Sequence, residues 1–374
     1  MKTGGNAPPR SWTRKATTGS LYVHIPFCTK KCGYCHFFVL PARRDLIESY
    51  LTALAEEWAI RKAYFTPGST LYLGGGTPSV LEPRDLERIM SLFCGPFDEI
   101  TIEANPENVT PEKIVSYRSL GINRISIGVQ SLDGRELLLL ERRTKAQEAI
   151  DAVRIAHKGG FENISIDLMF DIPGQSLASW KETLITAMSL PITHLSLYNL
   201  VLEEPSKFYY ERKRIEPMQP TRETSCAMLE MACEMLEKKG LSRYEISAFA
   251  RPGFESKHNS TYWEGGHFLG LGPSAFSYLH QTRFQNTLHF PTYISLVKKG
   301  IEPVHFEETL SEEKRLREGF VIALRLLKGT ECPAFLEGEV KSLCEEGFLS
   351  QSGNVVRLEE RGRLFYDTVA STLI

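Results

Sequence analysis

The chain has 374 residues, of which 42% are hydrophobic and 24% charged, with a formal net charge of −2. That length suits one large domain plus a small one, and a core of that size needs no disulfide staples. The near-neutral charge sets up no global field toward nucleic acid or an anionic membrane, and no apolar run approaches the roughly 18 residues of a membrane span.

Residues 1–20 are polar, carry Lys2, Arg10, Arg14 and Lys15, and lack the apolar stretch of a secretory signal. They read as a flexible tail, with a short organelle-targeting leader as the alternative. Residues 21–302 then alternate short β-rich runs with longer helical patterns. The expected strands are Leu21–Ile25, Thr70–Leu73, Glu99–Glu103, Arg124–Gly128, Asn163–Leu168 and His194–Tyr198. Between them lie helical segments at Leu46–Arg61, Pro83–Phe93, Pro111–Leu120, Arg135–Leu140, Gln147–Lys158 and Leu177–Ser189. In the first of these, Leu46, Tyr50, Leu51, Leu54, Ala55 and Trp58 fall at helical spacing and form one apolar stripe. Strand–helix alternation of this kind means an α/β fold with parallel strands joined by crossovers. Periodicity alone does not separate an incomplete barrel from a flat sheet.

Residues 303–374 change pattern. Leu310–Leu327 reads as a helix with Ser311 as N-cap, Cys332–Glu346 as a second helix, and Phe348–Leu358 as a hairpin turning at Ser352-Gly353-Asn354, followed by a last helix. This resembles a small winged-helix-like domain. It carries nine Lys/Arg against thirteen Asp/Glu, whereas a DNA-binding wing is basic. It therefore reads as a docking or lid domain with no nucleic-acid partner.

Three of the eight cysteines cluster as Cys28-Thr29-Lys30-Lys31-Cys32-Gly33-Tyr34-Cys35, and the other five are scattered. That distribution points to a reduced, cytoplasmic setting and one metal cluster rather than a disulfide framework. Three thiolates on a four-iron cubane leave one iron without a protein ligand. That iron can take the amino and carboxylate groups of S-adenosylmethionine (SAM), and an electron passed to the sulfonium yields a 5′-deoxyadenosyl radical. The protein's task in such chemistry is to position and shield the cofactor. The competing readings are a zinc site completed by His24 or His36, although the spacing differs from paired zinc-finger cysteines, and a redox dithiol, which needs only two of the three.

The run Tyr22-Val23-His24-Ile25-Pro26-Phe27-Cys28, followed by that cysteine spacing, resembles the HemN/HemW group of radical SAM proteins. The resemblance extends from Leu21 to the terminal module. It implies a partial (β/α)6 TIM-like barrel with a smaller C-terminal domain, a [4Fe–4S] cluster on Cys28, Cys32 and Cys35, and bound SAM. Chemistry in such barrels gathers at the C-terminal strand ends. The cysteine loop, Gly74-Gly75-Gly76-Thr77, Glu103, Gln130 and Asp167 each follow or end one of the expected strands.

By the same resemblance Gly75, Gly76 and Thr77 contact the SAM amino group, and Glu103 accepts the ribose hydroxyls. Gln130, Arg142 and Asp167 surround the cofactor mouth, where similar positions of the coproporphyrinogen enzymes meet a second SAM. Tyr22 and Tyr34 pack on the SAM side. Each has a plain alternative: a tight turn for the glycines, a solvent-facing acid for Glu103, a partner for Glu141 or Glu148 in Arg142, and simple lining for the tyrosines.

His258-Asn259-Ser260-Thr261-Tyr262-Trp263 matches the H-N-x-x-Y-W motif of the chaperone branch. Imidazole is a natural axial ligand for heme iron, so His258 is the candidate heme ligand. The alternative is a packed turn beneath the barrel. Two activities are compatible with the group. One is a heme chaperone that hands heme to respiratory proteins; the other is the oxygen-independent coproporphyrinogen III dehydrogenase, fed by a reductant such as flavodoxin or ferredoxin. Phe37 in place of a fourth cysteine, the short N-terminal segment and the H-N-x-x-Y-W run favour the chaperone. A heme-binding module with a purely structural cluster is a third possibility. His36 stands where the chaperone branch usually carries Asp.

The cysteine assignment has a direct test. Cys28→Ser, Cys32→Ser and Cys35→Ser each abolish the broad iron–sulfur absorbance after anaerobic reconstitution, while Cys94→Ser, in an apolar helical pattern, leaves it intact. Full iron and sulfide stoichiometry in the triple variant would sink the assignment.

Overall fold

The computed structural model describes residues 17–374. Six strands alternate with helices along the chain: β1 (Thr18–Ile25), α1 (Arg44–Arg61), β2 (Phe65–Gly75), α2 (Pro83–Met90), β3 (Glu99–Ala104), α3 (Pro111–Ser119), β4 (Arg124–Gln130), α4 (Gly134–Leu139), α5 (Ala146–Lys158), β5 (Asn163–Phe170), α6 (Leu177–Met188) and β6 (His194–Asn199). β1 to β6 lie side by side in sequence order, all parallel. The α/β partial barrel is therefore present, with every expected strand in place. Residues 1–16 of the expected tail lie outside the described residues. Thr18–Ser20 belong to β1 instead, since Thr18 pairs with Phe65 and Ser20 with Thr70 in the neighbouring strand.

Three short strands extend the sheet at its edges. β9 (Leu269–Leu271) pairs parallel with β1, beyond the leading edge. β8 (Ala248–Ala250) pairs antiparallel with β6, and β7 (Ser242–Glu245) with β8.

Each central strand alternates with period two. Leu21, Val23 and Ile25, Leu71 and Leu73, Ile125 and Ile127, and Ile164 and Ile166 are fully buried in the main hydrophobic core. The intervening side chains are polar and meet one another across the barrel. Tyr72 donates to Glu103, Ser126 to Asp167, and Ser165 Oγ lies 2.8 Å from His194 Nδ1. An interior of this kind presents donors and acceptors to a ligand at the open end.

The stripe expected on α1 is rotated from its apolar reading. Its fully buried side chains include Tyr50, Leu54, Glu57 and Arg61, while Leu46, Ala55 and Trp58 are only partly buried. The reason is a buried ion pair. Glu57 accepts from Arg61 Nη1 at 2.8 Å, Gly272 N at 2.7 Å, Asn286 Nδ2 at 2.7 Å and Tyr293 Oη at 2.8 Å. This carboxylate joins α1 to the chain leaving β9.

Past Pro303, Val304–Thr309 completes a three-stranded antiparallel sheet with Phe276–Leu279 and Thr282–Asn286. A second hydrophobic cluster gathers Phe320, Leu324, Leu336, Val340, Leu349, Val356 and Leu373. Ser311 caps the helix Glu312–Ala323 by accepting from Lys314 N, as expected. The hairpin Leu349–Ser352/Val355–Leu358 turns on Gly353 at φ +61°. The helix expected from Cys332 begins only at Glu337, because Cys332 precedes a proline, which disfavours the α conformation. Cys94 is exposed and lies beyond the end of α2, not within a helix. No helix among the described residues is long and apolar enough to cross a membrane.

Glu57→Ala takes from buried Arg61 its nearer carboxylate, leaving Glu302 at 3.5 Å, and strands Asn286 and Tyr293 without their acceptor, so it lowers the unfolding free energy by about 3 kcal/mol. Glu48→Ala, on the exposed face of α1, costs less than about 1 kcal/mol. Urea denaturation of both variants checks this; similar small losses would mean that the buried network is dispensable.

Candidate functional site

The cysteine loop crosses the C-terminal end of the barrel directly after β1. Two backbone bonds hold it there: Gly76 N donates to Ile25 O at 2.9 Å, and Thr77 N to Phe27 O at 2.8 Å. A Cβ on Gly76 would meet the Pro26 carbonyl carbon at 2.8 Å, and Gly75 has φ +111°. Both positions therefore require glycine. On its far side the loop is anchored by Phe208 N donating to Gly33 O at 2.9 Å, and by Lys30 Nζ donating to Glu141 O at 3.2 Å.

Cys28, Cys32 and Cys35 line a cavity of about 500 Å³ together with Glu103, Gln130, Arg142 and Asp167. Gly75, Gly76, Thr77 and Tyr34 complete it. The structure thus brings together every expected cluster and SAM residue except Tyr22. Thr77 Oγ1 lies 3.3 Å from Cys28 Sγ, and Arg142 Nη1 lies 3.9 Å from Cys32 Sγ. Arg142 is itself fixed by Asn105 Oδ1 at 3.2 Å and by the Gly128 carbonyl. Its alternative as a surface partner of Glu141 or Glu148 does not hold. A register shift at the end of β4 leaves Gln130 at φ +67°, on the cavity lining.

The acids of this site are shifted. Burial, and then the neighbouring Asp167 charge, push Glu103 up to about 7, against the pull of its bonds to Tyr72 and Gly75 N. Burial also raises Asp167. Desolvation pushes the Cys28 thiol up to about 11, and Cys35 is raised for the same reason. Metal loading must therefore displace protons from these thiols.

Two expected positions are corrected. Tyr22 lies inside the barrel rather than on the cavity wall; its hydroxyl is 3.1 Å from His24 Nδ1 and its ring 6.1 Å from that of Tyr72. His258 is 1% exposed, with Nδ1 at 2.7 Å from Thr70 Oγ1 and Nε2 at 2.6 Å from Tyr262 Oη. Both ring nitrogens are engaged, so neither is open to heme iron in this structure. The helix Lys257–Trp263 plugs the barrel floor, its first amides donating to Glu99 at 3.1 Å. His36 faces Glu203 Oε2 at 3.3 Å at the cavity mouth, and Phe37 is exposed beside it. Sequence reasoning missed Asn105, Ser126 and Tyr198, which also line the cavity; the positions of Asn105 and Tyr198 at strand ends were the available signal, whereas Ser126 lies mid-strand.

These residues fit an iron–sulfur cluster. Three thiols line one cavity without a fourth cysteine, and a hydroxyl and a guanidinium approach two of the sulfurs. No three His, Cys, Asp or Glu side chains among the described residues converge on a single point, as one metal ion would need. Ligands of a multi-iron cluster bind separate irons and need not converge.

The Radical SAM superfamily model matches residues 22–187. The chain is 32% identical over 369 residues to the heme chaperone HemW of Bacillus subtilis (strain 168), a match covering 94% of this chain and 97% of that protein. The chain belongs to the HemN/HemW family of radical SAM proteins. Within the family it is also 35% identical to the heme chaperone HemW of Lactococcus lactis, over 83% of this chain and 82% of that one. It is 31% identical to radical S-adenosyl methionine domain-containing protein 1, mitochondrial, of Danio rerio, over 84% and 74%. The solved structure of the coproporphyrinogen III oxidase HemN from Escherichia coli superposes with a TM-score of 0.84 at 24% identity, covering 96% of this chain and 91% of that chain. That likeness speaks for the fold. Family membership implies a [4Fe–4S] cluster and SAM.

Glu103 makes the stability of the barrel depend on pH. Folding raises its pKa from 4.5 to about 7, so its contribution to stability is full below 4.5 and is lost as pH rises through about 7. Glu103→Gln carries no such charge. Its melting temperature relative to wild type therefore rises between about pH 5.5 and pH 8. A pH-independent difference would mean that Glu103 titrates normally.

Proposed function

We propose that this chain is a heme chaperone of the HemW type, carrying a [4Fe–4S] cluster and SAM and delivering heme to respiratory proteins. The observation that carries this reading is the match to the Bacillus subtilis heme chaperone over 94% of this chain and 97% of that protein. In this reading Cys28, Cys32 and Cys35 hold three irons of the cluster. When bound, the cluster supplies the electron that SAM chemistry requires. The chain's own residues bind and orient. The Gly75-Gly76-Thr77 backbone meets the SAM amino group, Glu103 accepts the ribose hydroxyls, and Arg142, fixed by Asn105 and Gly128, holds positive charge beside Cys32. Tyr34, Gln130 and Asp167 close the cavity around the cofactor.

Flavodoxin or ferredoxin serves as reductant, and the protein works in the cytoplasm. Residues 303–374 form the smaller domain, with a core of their own from Phe320 onward. Their excess of acids fits docking to a protein partner rather than to nucleic acid.

Anaerobically reconstituted protein provides the test. Wild type develops a Soret band on heme addition and leaves coproporphyrinogen III unconverted in the presence of SAM and a reductant. Glu103→Ala assembles the cluster but binds SAM about 1.5–3 kcal/mol more weakly, the usual worth of a hydrogen bond to a charged group. His258→Ala lowers the melting temperature without a specific change in the heme spectrum, because both of its nitrogens hold the barrel floor. Conversion of coproporphyrinogen by a protein indifferent to heme would move the chain to the dehydrogenase branch.

A further inference from the structure

A second cavity, lined by four arginines, lies between the end of β5 and the last helices of the chain. Its charges are met locally. Arg243 donates to the Ile246 carbonyl, Arg325 sits 3.5 Å from Glu245, and Asp171 and Asp367 share the lining with Arg222 and Arg363. The polar groups of the cofactor cavity are arranged differently. There a bridge of side-chain bonds runs from one cysteine sulfur to another, and Asn105 is its middle link.

Asn105 follows β3 and precedes Pro106, and a residue before proline is held in the extended region. Its backbone lies at φ −90° and ψ 144°, and its amide donates to Ser79 Oγ at 3.1 Å. Its side chain reaches the cavity lining. There Oδ1 accepts from Arg142 Nη2 at 3.2 Å, and Nδ2 donates to Thr77 Oγ1 at 3.2 Å. Thr77 Oγ1 lies 3.3 Å from Cys28 Sγ, and Arg142 Nη1 lies 3.9 Å from Cys32 Sγ. Gly128 leaves room for this junction, since a Cβ there would stand 3.4 Å from Asn105 Oδ1 and 3.1 Å from Gln130 Nε2.

The direction of each bond follows from donor chemistry. A guanidinium only donates, so the amide turns Oδ1 toward Arg142. Nδ2 then faces Thr77 and donates to its hydroxyl oxygen. The single hydroxyl proton of Thr77 is left for Cys28. A thiolate that binds iron has no proton of its own, so it can only accept. Both ends of the bridge therefore point donors at cysteine sulfurs. Hydrogen bonds to the sulfurs of a cluster stabilise its more negative, reduced form and raise its reduction potential.

We infer that Asn105 is a positioning residue that orients the Thr77 hydroxyl and the Arg142 guanidinium toward Cys28 and Cys32, and thereby sets the reduction potential of the cluster. The inference rests on the cluster that family membership implies, and it is independent of the heme cargo.

The full chain, reconstituted anaerobically, is reduced stepwise without SAM, so that any contact between Asn105 and SAM does not enter. Asn105→Leu has nearly the same shape and can make neither bond. It takes up iron and sulfide at wild-type stoichiometry. The ratio of reduced to oxidised cluster at a fixed potential falls about tenfold, the worth of a charge-assisted hydrogen bond, or about 59 mV for one electron. On a Thr77→Val background the same substitution shifts the potential by less, because one of its two branches is already gone. In D2O, the deuteron coupling that Thr77→Val removes from the pulsed EPR spectrum of the reduced cluster is also lost in Asn105→Leu. An unchanged potential or an unchanged deuteron coupling in Asn105→Leu, at full iron content, overturns the inference. Should leucine prevent cluster assembly, Asn105→Asp decides. It still accepts from Arg142 but now accepts from Thr77 as well, so the coupling disappears. Its added charge alone would lower the potential and leave the coupling, which would overturn the inference. Failure of both variants to assemble a cluster makes Asn105 a folding residue and overturns it too.

Discussion

The position of the cysteine loop depends on one backbone approach. Gly76 and Thr77 donate to Ile25 and Phe27, which brings the end of β2 against the chain leaving β1. No side chain can intrude there, because any Cβ at Gly76 falls within 3 Å of the Pro26 and Phe27 backbone. The same contact puts Thr77 Oγ1 beside Cys28 Sγ and Gly75 N beside Glu103. One turn therefore sets the relative placement of thiols and carboxylate, and the glycines answer to packing as well as to any ligand.

Below that rim the barrel is built as a polar shaft. Apolar side chains of the strands face the helices, and Tyr72, Glu103, Arg124, Asp167 and His194 face inward. Such a shaft would admit water at its narrow end. The helix Lys257–Trp263 stops it, with His258 stacked on Tyr72 at 5.0 Å. Burial pulls His258 down to about 3, so it stays neutral throughout the physiological range. From the same helix, Trp263 lies under the Arg325 guanidinium at 4.3 Å, tying the barrel floor to the terminal helices.

Much of this was legible from local pattern. The six central strands, the cysteine spacing, the Ser311 cap and the Gly353 turn are each written in a few neighbouring residues. What was hidden depends on distant partners. Glu57 reads as a polar residue on an amphipathic helix until Asn286 and Tyr293 reach it from far along the chain. β9 is three residues long, too short for any periodicity. His258 and Tyr22 were placed by motif, and motif alone does not say which way a side chain points. The period-two alternation of the strands did carry that information for Tyr22, which shares a face with His24 rather than with the cysteine loop.

The arginine-lined cavity is walled by Phe170 and Asp171 from the end of β5 and by Phe365 to Thr368 from the last helices. On a ribosome the first wall emerges long before the second. The cysteine loop and the barrel strands around it are complete while the far wall is still being made. A growing chain therefore owns its three-cysteine loop before it owns a pocket at the junction. Only the finished chain has both walls, which builds an order of assembly into the linear arrangement of the chain itself.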